Sequence, residues 1–168
     1  MRIKKIIVAV ILLGIGFGLL YVFFLKGNQE VPYTITVEQP KFEVLIASQG
    51  SEFKEALVQS VLKHYESKPI NFKVIDAYTL FTVNIDKWDA VVVINSWEYS
   101  TPPFNIKKFI KEQPNNRDKL IILSTVGSYN MALEEVDTIS GESIIEKVPE
   151  YSAILVDRLD AILTRNKK

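Results

Sequence analysis

The hydrophobic pattern divides the chain into two unlike parts. From Ile6 to Leu25 there are twenty positions without a charged residue, made mostly of Ile, Leu, Val, Phe and Gly. As a helix rising ~1.5 Å per residue, this run spans roughly 30 Å, the thickness of a bilayer's hydrocarbon core. After Pro40 the pattern changes to short apolar runs alternating with amphipathic stretches. Phe42–Ala47, Asn71–Ile75, Asp89–Ile94 and Leu120–Leu123 read as strands, and Glu135–Ile139 as a short final one. Within them, Ala90–Ile94 and Leu120–Leu123 are unbroken apolar runs, as strands buried on both faces of a parallel sheet require. Between them, Phe53, Leu57, Val61, Leu62 and Tyr65 form one helical stripe that starts after Ser51, a favourable N-cap. Phe104, Ile106, Phe109 and Ile110 form a second stripe after Pro102-Pro103. Ile154, Leu155, Leu159 and Ile162 form a third, after Pro149. Ala77–Lys87 reads as a loop with a short helical turn.

The charges around the first block decide how it is read. Arg2, Lys4 and Lys5 precede it and Lys26 follows, so the positive excess lies before the span. That bias places the N-terminus in the cytoplasm and the domain on the extracytoplasmic side. A cleavable signal peptide would have a shorter apolar region ending in small residues. Here the run leaves through Tyr21-Val22-Phe23-Phe24-Leu25, which favours an uncleaved anchor. Gly14 and Gly18 have the spacing of a helix-dimer motif, but glycine is common in membrane helices and no dimer is read from it. The expected organisation is an anchor over 1–26, a linker over 27–40 and one α/β domain over 41–165. Tyr33, Ile35 and Val37 alternate with polar residues, as either a short edge strand or a tether lying on the domain would.

Composition removes several chemistries. Lysine plus arginine and aspartate plus glutamate both total 20, which argues against a nucleic-acid partner. With no cysteine there is no disulfide, thiolate metal site or cysteine nucleophile. The single histidine, His64, falls late in the first amphipathic helix and reads as a solvated surface residue. Ser96 and Ser124 lie outside any Gly-x-Ser-x-Gly turn, so a serine hydrolase is not indicated. Asp76, Asp86, Asp89 and Glu98 lack the spacing of a metal loop, and no metal site is expected. Asp137-Thr138-Ile139-Ser140-Gly141 lacks the threonine of the flavin-attachment motif it resembles and reads as coincidence or a strand end.

Strand and helix alternate in the order of a doubly wound parallel sheet, in which ligands bind at the carboxyl ends of the strands. Three loops occupy those ends: Ser48–Ser51, Asn95–Pro103 and Ser124–Asn130. The stretches VLIASQGSEFKEALVQSVLKHY, WDAVVVINSWEYSTPPFNIKKFI and KLIILSTVGSY resemble a flavodoxin, over roughly Phe42 to Leu163. The resemblance implies strand order 2-1-3-4-5 and a bound FMN used in electron transfer. Its three loops place cofactor contacts at Ser48, Gly50 and Ser51, at Ser96, Trp97 and Tyr99, and at Thr125, Gly127 and Tyr129. Trp97, Tyr99 and Tyr129 would stack on a planar ring, or else cap the sheet end or meet a partner.

The first turn departs from the family's hydroxyl-rich pattern. Aligned on Gly50, the three hydroxyl positions become Ala47, Gln49 and Glu52. A carboxylate about 5 Å from a phosphate dianion costs several kcal/mol at an effective dielectric of ~20, and about 1–2 if well solvated. Lys54 would offset part of this, and Glu52 turned outward would remove most of it. Two functions are therefore carried forward. One is an FMN-binding redox module serving a membrane-protein partner. The other is a flavin-free domain of the same fold, acting as a protein-binding module at the membrane.

Overall fold

The structure, a computed structural model, describes residues 10–20, 30–97, 101–126 and 138–165. Residues 10–20 form a helix, α1, whose large apolar side chains are all more than half exposed, from Ile15 at 54% to Phe17 at 69%. Among the described residues no helix is long and apolar enough to cross a membrane. The uncharged run itself continues past α1 in both directions, into residues outside that set.

The domain is built on a six-stranded sheet in the order β1-β3-β2-β4-β5-β6. The strands are β1 (Tyr33–Ile35), β2 (Phe42–Ser48), β3 (Ile70–Asp76), β4 (Ala90–Ser96), β5 (Leu120–Thr125) and β6 (Thr138–Gly141). Five of them, β2 to β6, run parallel in the expected 2-1-3-4-5 order. The sixth corrects the all-parallel reading. β1 pairs antiparallel with β3, Tyr33 opposite Val74 and Ile35 opposite Phe72, so the sheet is mixed. The linker thus contributes an edge strand. Val37 N–H donates to Asn71 Oδ1 at 2.9 Å, and Gln59 Nε2 donates to the Tyr33 hydroxyl at 3.0 Å, holding it there.

Alternation along the central strands distributes side chains to two cores. Val44, Ile46, Val92, Ile94, Ile121 and Leu123 face α2 (Glu52–His64) and α4 (Val148–Arg165). Leu45, Ala47, Val91, Val93, Leu120 and Ile122 face α3 (Phe104–Lys111) and two 3₁₀ turns, Ala77–Thr82 and Ile85–Lys87. Those two turns replace a full helix in the crossover from β3 to β4. Helix α2 starts where Ser51, in an extended conformation, accepts the Lys54 N–H on its hydroxyl. His64 is exposed at the other end, its ring 4.9 Å from that of Tyr65. Tyr65 donates to Asp160 Oδ1 at 2.9 Å, and burial together with that carboxylate keeps its phenol protonated.

Two expectations shift. Phe104 is 82% exposed, not part of a buried stripe, because it lies two residues, some 200° of helix, from Ile106. The last strand is described over Thr138–Gly141, while 135–137, the start of the expected Glu135–Ile139 strand, lie outside the described residues; Thr138-Ile139-Ser140-Gly141 is thus a strand, one of the two readings offered for it.

Candidate functional site

The carboxyl ends of the parallel strands finish in buried polar residues. Ser48, Asn95 and Ser124 are fully buried, and Thr125 and Gln49 nearly so. These positions belong to the strands and their immediate continuation, not to loops. Asn95 pairs with Ser124 and Ser96 with Thr125 in register. Their side chains satisfy one another: Ser124 donates to Asn95 Oδ1 at 3.0 Å, and the Ser96 and Thr125 hydroxyls lie 2.8 Å apart. Gln49, which replaces a hydroxyl in the first turn, folds inward. Its Oε1 accepts the Ser96 N–H at 2.6 Å and its Nε2 donates to the Tyr78 hydroxyl at 3.3 Å. The turn is thereby clamped to the end of β4.

Lys54, expected only as a partial offset to Glu52, is buried. It stands in the first turn of α2, is only 4% exposed, and reaches back toward the strand ends. Its Nζ donates to Ser96 Oγ at 2.8 Å and to Ser51 Oγ at 3.4 Å. Among the described residues no carboxylate lies within ion-pair distance of it. Burial alone pushes its pKa down from the ordinary lysine value. A cation near a helix N-terminus also opposes the helix dipole. Lys54 was legible in the sequence as a charged residue on the 54-57-58-61 stripe, a position that faces inward.

The Gly50-Ser51 turn separates two clefts of opposite character. One, of about 320 Å³, is lined by Gln49, Gly50, Ser51, Lys54, Tyr78, Ser96 and Ser143. The other, of about 330 Å³, has Glu30, Glu52 and Glu55 in its wall. Glu52 is exposed on that second side, so its carboxylate is turned away from the Lys54 cleft. The repulsion anticipated at this turn is relieved by geometry.

Glu30 was not foreseen. Its backbone N–H donates to Asp76 Oδ2 at 3.0 Å, joining positions 46 residues apart. Burial raises its carboxyl pKa, Glu55 and Asp76 raise it further, and a hydrogen bond with Ser48 pulls it back. A carboxyl whose folded pKa lies above its unfolded value stabilises the fold below the unfolded pKa and loses that contribution as pH rises through the folded one. Glu30→Gln should therefore be more stable than the wild type at pH 7, by about a few tenths of a kcal/mol because the group is half solvated. The gain should fade below pH 4. Melting temperatures of both proteins across pH 3–8 check this, and a constant difference would refute it.

Of the nine residues expected to hold a cofactor, Gly50, Ser51 and Ser96 line the Lys54 cleft directly. Thr125 reaches it through the Ser96 hydroxyl. Ser48 is buried beneath the turn, donating to its neighbour Gln49's carbonyl at 3.3 Å. Trp97 is half-buried, and among the described residues its enclosed indole N–H has no acceptor. Such a group costs about 1–3 kcal/mol unless something meets it. Tyr99, Gly127 and Tyr129 lie outside the described residues.

No protein-family model matches this chain, and no curated protein does. Similarity is found among solved structures. A flavodoxin from the domain Archaea aligns with TM-score 0.50 and 15% identity, over 71% of this chain and 98% of its own. The metal-soaked Flv1 flavodiiron core from Synechocystis aligns with TM-score 0.55 and 11% identity, over 76% of this chain. The chain spans 37% of that core's length. At these identities the likeness establishes the fold: an α/β, flavodoxin-like domain with a mixed sheet.

Proposed function

We propose that this chain is a membrane-anchored flavodoxin-like protein that binds FMN at its strand ends and serves electron transfer to a membrane-protein partner. The observation that carries the reading is the Lys54 cleft. A phosphoryl group requires hydrogen-bond donors and compensating positive charge, and the start of a helix supplies the former. Ser51, Ser96 and Lys54 bring hydroxyls and an ammonium to one wall of a single cleft, with the first turn of α2 beside them. These residues fit the phosphate of FMN. Trp97, next along the chain from Ser96, has an indole N–H that a ligand carbonyl would satisfy. Once bound, the flavin would supply one- and two-electron chemistry. The chain's own residues orient it and exclude water from its phosphate end.

The flavin-free alternative draws on the neighbouring carboxylates Glu30, Glu55 and Asp76 and on the Gln49 side chain folded into the turn. Both would weaken an anion site, and a domain without flavin would act as a protein-binding module at the membrane. Titrating the detergent-solubilised full chain with FMN, and separately with riboflavin, while following flavin fluorescence separates the two. Saturable quenching at micromolar FMN supports the redox reading. No response to either flavin rejects it in favour of the binding module.

The anchor is supported by the uncharged Ile6–Leu25 run and by the exposure of the large apolar side chains of α1. A helix apolar on every side suits lipid and not water. The charge bias places the N-terminus in the cytoplasm and the domain outside. Because the chain has no cysteine, a single Glu66→Cys reports the topology cleanly. Labelling in intact cells by a membrane-impermeant maleimide supports the outward domain, and protection until the cells are lysed refutes it.

A further inference from the structure

Three features of Lys54 point the same way. Its side chain is 96% removed from solvent, by the 4% exposure that remains. Its ammonium carries three N–H donors, and the structure gives it two acceptors, the Ser96 and Ser51 hydroxyls, both uncharged. It also sits beside the N-terminal turn of a thirteen-residue helix, whose dipole adds to the uncompensated positive charge. A buried cation is ordinarily paired. Here the missing negative charge is not supplied by any described residue, and the side chain opens on a cleft large enough to admit one.

We infer that Lys54, with Ser51 and Ser96, forms a charge-anchored phosphoryl site. In it the ammonium, and not a row of turn hydroxyls, sets affinity and selects phosphomonoesters over neutral ligands. The inference rests on the proposed function for the location of the ligand but not for its ring. It explains how a turn carrying Ala47, Gln49 and Glu52 still serves an anion. The positive charge stands two positions after Glu52, on the β4 side of Gly50-Ser51, while Glu52 and Glu55 face the other cleft. The same arrangement excludes uncharged riboflavin, because its entry would leave the ammonium uncompensated in a drier environment. The shared ligand chemistry is a phosphate oxyanion, from inorganic phosphate or from FMN.

The test uses the full chain in detergent, with Lys54→Met and Lys54→Arg. Inorganic phosphate binding is followed by thermal shift and phosphorus NMR at constant ionic strength, and FMN and riboflavin binding by fluorescence. The expected result is that phosphate raises the wild-type melting temperature. Lys54→Met should abolish that rise and weaken any phosphoryl ligand at least tenfold, while Lys54→Arg retains part of it. Lys54→Met removes a buried charge and is expected to fold; if it does not, Lys54→Arg against Lys54→Gln gives the same comparison. Phosphate bound in a Lys54-dependent way, with FMN no better than phosphate, upholds the inference and ends the flavin reading. FMN bound equally by wild type and Lys54→Met overturns the inference and leaves the flavin reading standing. No phosphate binding to the wild type at millimolar concentration also overturns it.

Discussion

Gly141→Ala is expected to destabilise the domain by about 3 kcal/mol, near the upper end for an overpacked site. Gly141 ends β6, and a methyl group built there would fall 1.7 Å from Tyr151 Oη and 2.4 Å from Cζ. Those distances require the ring or the strand to move. The ring is not free to do so: Tyr151 is 6% exposed and packs edge-on against Phe53, centroids 5.9 Å apart. Its hydroxyl also accepts the Glu142 N–H at 3.2 Å. The strand is equally constrained, because Val126 N–H donates to the Gly141 carbonyl at 2.9 Å. Chemical denaturation of Gly141→Ala measures the loss. A loss under about 1 kcal/mol would mean that the Tyr151 ring can swing aside, contrary to the packing described. Pairing the substitution with Tyr151→Ala should relieve the clash but not restore the aromatic packing.

The second large effect is expected at Leu57. It is fully buried on α2, within the core that α2 and α4 share with the sheet. Leu57→Ala removes three side-chain carbons and leaves a cavity in a close-packed interior, worth roughly 2–5 kcal/mol. Leu57 also stands one turn beyond Lys54, so loosening α2 against the sheet displaces the ammonium from Ser96. Denaturation should show the stability loss. Phosphate affinity, measured well below the melting temperature, should fall with it. A variant that lost stability but kept full affinity would show that the cleft is held by the Ser51 turn alone.

The strands of this domain were legible because their burial is written as uninterrupted apolar sequence. Asp89–Ile94 and Leu120–Leu123 gave β4 and β5 to within two residues at each end. Their last residues were not legible, because Asn95, Ser96, Ser124 and Thr125 have the polarity of loops. Their mutual hydrogen bonds across β4 and β5 allow Asn95, Ser124 and Thr125 to be buried, and Ser96 half-buried, in strands. β1 was left between strand and tether because three residues carry too little pattern, and its pairing with β3 is a long-range choice. Strand order directs attention to the carboxyl ends of β2, β4 and β5, where the Lys54 cleft lies, although residues 98–100 and 127–130 of the expected loops lie outside the described residues. Of the two orientations the sequence allows for Glu52, the structure has the outward one, a choice set by the fold around the turn and not by the local sequence. Lys54 stood on the apolar stripe in plain sight, and a charge at such a position is the signal for a buried cation. Glu30 could not have been found, since nothing local connects it to Asp76.

The antiparallel direction of β1 has a geometric result for the whole molecule. Because it runs against β3, the chain enters the domain at the carboxyl ends of the parallel strands, beside the Gly50-Ser51 turn, with Val31 and Tyr33 in the wall of the acidic cleft. Only four residues lie between Leu25 and Glu30, a reach of about 17 Å when fully extended. On the membrane reading, the ligand end is therefore leashed at the bilayer surface and the opposite end of the sheet points away. Encounter then becomes a search in two dimensions, with neighbours in the same membrane present at a high local concentration and large soluble proteins shut out by the lipid below. A twenty-residue flexible insertion after Leu25 would open the cleft to soluble partners without altering its affinity for a small ligand.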